Sequence, residues 1–422
     1  MRRVVVTGGG AVCASGVSVD EVWDRVLEGE SGIGEITSWD TTGWPVRIAG
    51  EAKQLDNSQL VADRKLHKMI SRTDLLGLYA ADKAVADSGF LDVREGLSDP
   101  DKIAFNDRSG VFAGSGGGTY QSQYDFIGLI QATGDDMEAF GREAGSHVSP
   151  MWLLRNLPNN VVCHVGIRYG LKGVNACVTN QCTSGPLALA DAVAAIQEDE
   201  ADRAVVAAHD VPVEPEMVLS FHRLGLLSKE ALRPFDADRS GTVLAEGAAA
   251  MVLEAEGDAR QRGAKIRGEI LGFGCVTEGT GILAIRPDGD GVERAIRLAL
   301  KQAEVNPEDI GFVVTHGNGS RASDASEALA LYRVFGPGIP ITAFKGSFGH
   351  TLASSGLLDA LLAMKCLETG RVPAILGLRT ADAALPNLGW ATEETKPRYG
   401  DLALTICRGF GGMNTALVLR GP

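Results

Sequence analysis

Two stretches of this chain prepare helices in the same way, and that repetition narrows the possible folds more than any other feature of the sequence. CTSGPLALADAVAAI, starting at Cys182, and GHTLASSGLLDALLAMKCL, starting at Gly349, each set small residues before an apolar helical run. Each follows a strand-like or loop segment, and each precedes a basic residue with a β-prone run, RAVVAA from Arg203 and RVPAIL from Arg371. The pattern points to two similar halves and not to a short-period repeat array.

The rest of the chain alternates in a compatible way. Arg3 to Thr7 reads as a short buried strand entering Gly8, Gly9 and Gly10, and an amphipathic helix follows near Val19 to Leu27. A second helix is expected from Asp74 to Ser88 and a strand from Ser109 to Ala113. Alternation of this kind favours an α/β layered fold. AAAMVLEAEGDARQRGAKIRGEILGFG passes from a strand through a charged helical linker to another strand. That places a boundary near residue 256 and predicts halves at 1–255 and 256–422. With 422 residues, 45% of them hydrophobic, the chain can fill two fused cores.

Charge and cysteine usage exclude several classes. A net charge of -14 opposes non-specific nucleic-acid binding, which rewards a basic face. Seven scattered cysteines contain no CxxC pair, so neither a zinc site nor a disulfide framework is expected, and no other metal motif stands out. The first residues, MRRVVVTGGG, hold only a three-residue apolar run, and no later segment approaches a charge-free membrane span. A soluble cytoplasmic protein without nucleic-acid or membrane partners is expected. The early glycines invite a dinucleotide reading, but GxGxxG from Gly8 requires glycine where Cys13 stands, so a tight structural turn is expected instead.

Cys182 stands between Thr179-Asn180-Gln181 and the small residues that open a helix. Amide donors and the positive end of a helix favour thiolate there and would make the sulfur a nucleophile near neutral pH. His316 in VVTHGNGS and His350 in FKGSFGHTLASSG each end an apolar strand in a turn of small residues. Two such turns in the half opposite a helix-start cysteine suggest an acyl-transfer site, although spacing alone does not bring the three together.

At this point the sequence resembles a known family, the β-ketoacyl-acyl carrier protein synthases of fatty-acid and type II polyketide pathways, within the thiolase-like superfamily. The resemblance covers essentially the whole chain and rests on NQCTSG, RPFDADRSGTVLAEGAA, HGNGSRASDASE, FKGSFGHTLASSG and GFGGMNTAL, in the family order. It implies an α/β fold of five layers, an αβαβα sandwich of two similar halves, dimerising across a central sheet. It also implies decarboxylative Claisen condensation, with Cys182 as the acylated nucleophile and His316 and His350 binding the malonyl thioester. Lys345, Glu246, Asp324 and Glu327 match supporting polar positions. The backbone amides of Cys182 and Phe410 match the oxyanion hole, with Phe410 also resembling the gate. Substrates would be carried on the phosphopantetheine of an acyl carrier protein, with no bound cofactor. A basic cluster at Arg64, Lys65, His67, Lys68 and Arg72, with helical spacing, resembles the carrier-docking region.

Several residues depart from the family pattern. Gln181 stands where alanine is common, and chain-length-setting subunits of this family carry glutamine in place of the nucleophile. The TSG that follows sets the register on Cys182. Asn318 and Ser320 replace threonines, Asp359 replaces glutamate, Ala353-Ser354-Ser355 replaces Gly-Ala-Ala, and His209-Asp210 falls where Gly-Ala-Glu is common. These changes imply a specialised pathway enzyme. Two alternatives stay open: a chain-length-setting partner in a heterodimer instead of a homodimer, and a non-decarboxylating acyltransferase or thiolase, which would use one histidine and a second cysteine.

Overall fold

A computed structural model describes residues 2–117 and 124–422. In chain order its principal elements are β1 (Val4–Cys13), α1 (Val19–Glu28), α2 (Arg72–Ser88), β2 (Ser109–Ser115), α3 (Asn160–Tyr169), β3 (Asn175–Val178), α4 (Ser184–Gln197), β4 (Arg203–Asp210) and β5 (Gly247–Ala255). There follow β6 (Gly268–Thr277), α5 (Asp290–Ala303), β7 (Phe312–Val314), α6 (Arg321–Phe335), β8 (Pro340–Thr342), α7 (Ser355–Thr369), β9 (Gly389–Trp390), β10 (Leu402–Gly409) and β11 (Met413–Arg420). The strands run β9-β8-β7-β10-β11-β6-β1-β5-β4-β2-β3. Within this sheet the strands before residue 256 therefore lie together, and so do those after it, while Ile33–Glu35 and Ile48–Gly50 pair separately. Within the sheet, the two groups join where Val5 and Val6 meet Glu269 and Gly268.

Strand alternation builds the layers. On β5, Ala248, Ala250 and Val252 pack with α2 and α3, while Ala249, Met251 and Leu253 turn inward to α4 and α7. On β10 and β11, Leu404, Ile406 and Val418 pack outward against α5 and α6, while Ala403, Leu417 and Leu419 share the same inner core. Helices α4 and α7 are thus sandwiched between two sheet regions, each covered outside by helices, which gives the five layers. This position accounts for their unusual sequence. A helix exposed on neither side needs no polar face, and α7 is buried from Ser355 through Met364.

Three local readings are corrected. Gly8, Gly9 and Gly10 do not turn but continue β1, with a register shift between Val6 and Gly8. Their small size serves the approach of α2: a Cβ at Gly8 would lie 2.2 Å from the Ala84 carbonyl oxygen, and one at Gly10 2.1 Å from that of Ala80. RVPAIL forms no sheet strand, consistent with Pro373 lacking a ladder donor; the next strand after α7 is β9, some twenty residues on. The basic cluster is not a helix face either, because only Leu66–Lys68 form a single 3-10 turn before α2 begins.

Candidate active site

Cys182 lies where β3 hands over to α4. The connection is one 3-10 turn, Gln181–Thr183, entered through Gln181 at a φ of 49°, a left-handed conformation costing a non-glycine residue about 1 kcal/mol or more. The Ser184 hydroxyl braces the turn. It accepts from the Asn180 amide at 2.7 Å and reaches the carbonyls of Gln181 and Ser115 at 2.7 and 3.1 Å. The strained turn thereby holds the thiol just ahead of the helix.

The opposite half supplies both imidazoles. The His350 amide donates to the Val243 carbonyl at 2.7 Å, and Ala245 donates back to the His350 carbonyl at 3.0 Å. His350 Nε2 then lies 3.5 Å from Cys182 Sγ. The His316 ring meets that of His350 edge to face, with centroids 5.1 Å apart. The Glu327 carboxylate pins the His316 turn by accepting from the amides of His316 and Gly317 at 2.7 and 3.1 Å. The Arg408 amide donates to His316 Nδ1 at 3.3 Å, so in the neutral ring Nε2 carries the proton. His350 Nδ1 has no partner among the described residues, which leaves that ring free to take either tautomer.

Burial, reinforced by the Lys345 ammonium, pushes both histidines well below their ordinary value, so both are neutral. Burial also pushes the Cys182 thiol up to about 12; the nearby Asp210 adds to the rise and Lys345 opposes it. This corrects the expectation of a resting thiolate. Desolvation outweighs the helix terminus, and the resting site pairs a neutral thiol with a neutral imidazole.

Lys345 and Asp359 form a fully buried ion pair at 2.7 Å; burial works against the Lys345 charge, but Asp359, joined by Cys407 and Glu327, outweighs it and keeps the ammonium. Asp324 accepts from Phe235 N at 2.8 Å and Gly319 N at 3.2 Å, tying the RPFDADRSG segment to the His316 turn. Glu246 lies away from the thiol. It accepts from Arg72 Nε and Nη2, both at 2.8 Å, and from Ala52 N at 2.9 Å. Its influence runs through the backbone, since neighbouring Leu244 forms a β-bridge with His350. The same pair removes Arg72 from the docking cluster, whereas Arg64, Lys65 and Lys68 are exposed and stand apart from the residues lining the cavity.

Gly409 brings the turn carrying Phe410 alongside the nucleophile, as a Cβ there would lie 3.6 Å from the Cys182 amide nitrogen. The Phe410 ring is half-buried and packs 5.5 Å from Phe221. Cys182, His316, His350 and Phe410 line one cavity, whose mouth carries Ile282 and Leu283. Of the unusual dipeptide, His209 is buried under α2 against Thr73, and Asp210 accepts from the Ala353 amide at 3.3 Å in the turn that follows His350.

Sequence reasoning missed Arg408. Its guanidinium is buried in the cavity wall, donating to Asn414 Oδ1 at 2.9 Å, Ser323 O at 2.8 Å and Glu278 Oε1 at 3.0 Å. The available signal was a lone cation in the apolar run LALTICRG. Among the described residues, no group of three or more His, Cys, Asp or Glu side chains could hold a metal ion, and no helix is long and apolar enough to cross a membrane.

Comparison with known proteins gives a consistent picture. Residues 1–259 match the family model described as the beta-ketoacyl synthase N-terminal domain, and residues 267–379 match its C-terminal domain. A putative polyketide beta-ketoacyl synthase 1 of Streptomyces cyaneus is 32% identical, covering 100% of this chain and 98% of its own. A 3-oxoacyl-[acyl-carrier-protein] synthase 2 of Synechocystis is 30% identical over 99% of this chain and 98% of its own. Among solved structures, a beta-ketoacyl synthase from Burkholderia phymatum superimposes with a TM-score of 0.87 at 28% identity, covering both chains completely. A type II polyketide ketosynthase, solved with its acyl-carrier protein and bound to a hexaketide, gives 0.81 at 26% identity, covering 100% of this chain and 99% of that one.

Proposed function

The chain belongs to the beta-ketoacyl synthase family, and we propose that it performs decarboxylative Claisen condensation through Cys182, His316 and His350. The observation that carries this reading is the convergence of one thiol and two neutral imidazoles from opposite halves on a single cavity.

Acylation comes first. Cys182 Sγ attacks the carrier-bound acyl thioester, the thiol proton passes through His350 Nε2, and the carrier thiol leaves with a proton. The amides of Cys182 and Phe410 receive the charge on the tetrahedral oxygen. Malonyl-carrier then binds with its thioester oxygen facing the imidazoles, where His316 Nε2–H is already oriented to donate. The bond from the α-carbon to the carboxylate breaks, carbon dioxide leaves, and the electron pair forms an enolate. The enolate carbon attacks the acyl carbonyl, and Cys182 departs as a thiolate that takes a proton from water. The product is a β-ketoacyl thioester. Neutral donors suit this step because the negative charge grows on the thioester oxygen as carbon dioxide departs.

The acyl groups arrive on the phosphopantetheine of an acyl carrier protein, entering past Ile282 and Leu283, with Arg64, Lys65 and Lys68 as the docking cations; the work takes place in the cytosol. Pairing with a second chain, identical or homologous, would use the sheet end at β3. Intact-mass analysis tests the covalent step. An acyl adduct on the wild type that is absent from Cys182→Ala supports it, and no adduct on the wild type overturns it. Turnover by the purified chain alone would exclude a purely chain-length-setting role, and labelled carbon dioxide release from malonyl-carrier would exclude a non-decarboxylating acyltransferase.

A further inference from the structure

We propose that Thr242 forms the subsite for the carboxylate that the extender thioester loses, an inference that rests on the condensing reaction above. Thr242 lines the same cavity as Cys182, His316 and His350. It is 4% exposed, yet its hydroxyl has no hydrogen-bond partner among the described residues. A buried hydroxyl without a partner carries an uncompensated cost that a ligand would relieve.

Its position is set by backbone on both sides. Thr242 N donates to Leu226 O and its carbonyl accepts from Ser228 N, both at 2.8 Å, while the next carbonyl, Val243 O, holds the His350 amide. Side chains alternate along an extended segment. Thr242 therefore shares a direction with Leu244, which packs in the cluster containing Cys182, Phe221 and Leu352. The hydroxyl is an unpartnered polar group in the wall of the cavity that holds the thiol and both imidazoles.

The charged groups of the site are already engaged. Arg408 is held by Glu278, Asn414 and Ser323, Lys345 by Asp359, and the imidazoles face the thioester oxygen in the proposed reaction. Asn318 and Ser320 also line the cavity from the half-buried turn after His316, so the buried neutral donor left for the carboxylate is the Thr242 hydroxyl, with aliphatic and aromatic surface around it. That combination orients the carboxylate without a cation that would stabilise it. The charge is therefore less favourable in the ground state than after neutral carbon dioxide has left and the electron pair has moved to the enolate.

The test compares binding of two non-hydrolysable carrier-linked analogues, one malonyl and one acetyl, to the wild type, Thr242→Val and Thr242→Ser. Valine keeps the shape and removes the donor, and serine restores it. The expected result is a loss of about tenfold or more in malonyl-analogue affinity for valine, with the acetyl analogue unchanged and serine close to wild type. Equal effects on both analogues, no effect on either, or a serine variant as impaired as valine would each overturn the subsite. The readout is equilibrium binding and needs no turnover. Absence of an acyl adduct on wild-type Cys182 would be a separate result, directed at the condensing reading itself.

Discussion

The start of α4 and the start of α7 are the same piece of backbone used twice. Each is a 3-10 turn, Gln181–Thr183 or Leu352–Ser354, leading into a helix at Ser184 or Ser355. Each is entered through a non-glycine residue at positive φ, 49° at Gln181 and 41° at Leu352. QCTSG thus corresponds to LASSG, with Cys182 opposite Ala353 and Gly185 opposite Gly356. The chemistry differs. One half puts its working atom at the turn, and the other leaves alanine there and works from His350, two residues ahead of the strained position. The two serines diverge as well, since Ser184 is fully engaged while Ser355 Oγ has no partner among the described residues. Equivalent backbone therefore does not make equivalent sites; the side chains it presents decide.

The largest effect should come from moving the thiol across this comparison. Cys182→Ala should abolish the acyl adduct, and adding Ala353→Cys should not restore it, because the mirrored position lacks an imidazole placed as His350 is. Intact mass after acyl-carrier treatment reads both, and an adduct on the introduced cysteine would break the distinction. Next, Lys345→Met strands the Asp359 carboxylate in the core and should cost about 3–5 kcal/mol in urea unfolding. Pairing it with Asp359→Leu should recover most of that loss.

The strained positions should respond in opposite ways to glycine. Leu352 is 1% exposed, so Leu352→Gly loses core burial and should cost about 2–4 kcal/mol, whereas Gln181→Gly relieves the left-handed backbone and should change stability by less than about 1 kcal/mol. Equal losses would show that burial does not separate them. The mildest test follows the thiol. With its pKa raised to about 12, the thiolate fraction grows tenfold per pH unit throughout the neutral range. Inactivation by iodoacetamide should therefore climb with that slope from pH 7 to 10, and a plateau near pH 7 would instead indicate a resting thiolate.

The duplicated helix starts were readable because a helix covered by sheets on both sides must be apolar all round, and small residues must precede it where the turns crowd together. Cys182, His316 and His350 were readable from the small-residue turns around them, but all three are buried, and only the fold brings them together. What escaped depended on distant partners. Gly8 and Gly10 were misread as a turn because the carbonyls that require their smallness belong to α2. Arg72 looked like a free surface cation until its partner Glu246 arrived from 174 residues away. Arg408 showed only as a lone cation in an apolar run and Thr242 not at all, because their partners Glu278, Ser323 and Leu226 come from other segments.

The crossing of α4 and α7 also sets how far this molecule can be remodelled. A Cβ at Gly356 would lie 2.3 Å from Pro186 Cγ, and one at Gly185 would lie 2.9 Å from the Ala353 carbonyl oxygen. Two bare glycines act as the bearing on which the halves are seated. The distance between nucleophile and imidazole is thereby machined into the backbone, out of reach of surface change. Side chains in the cavity wall and mouth, by contrast, can be exchanged without shifting the bearing.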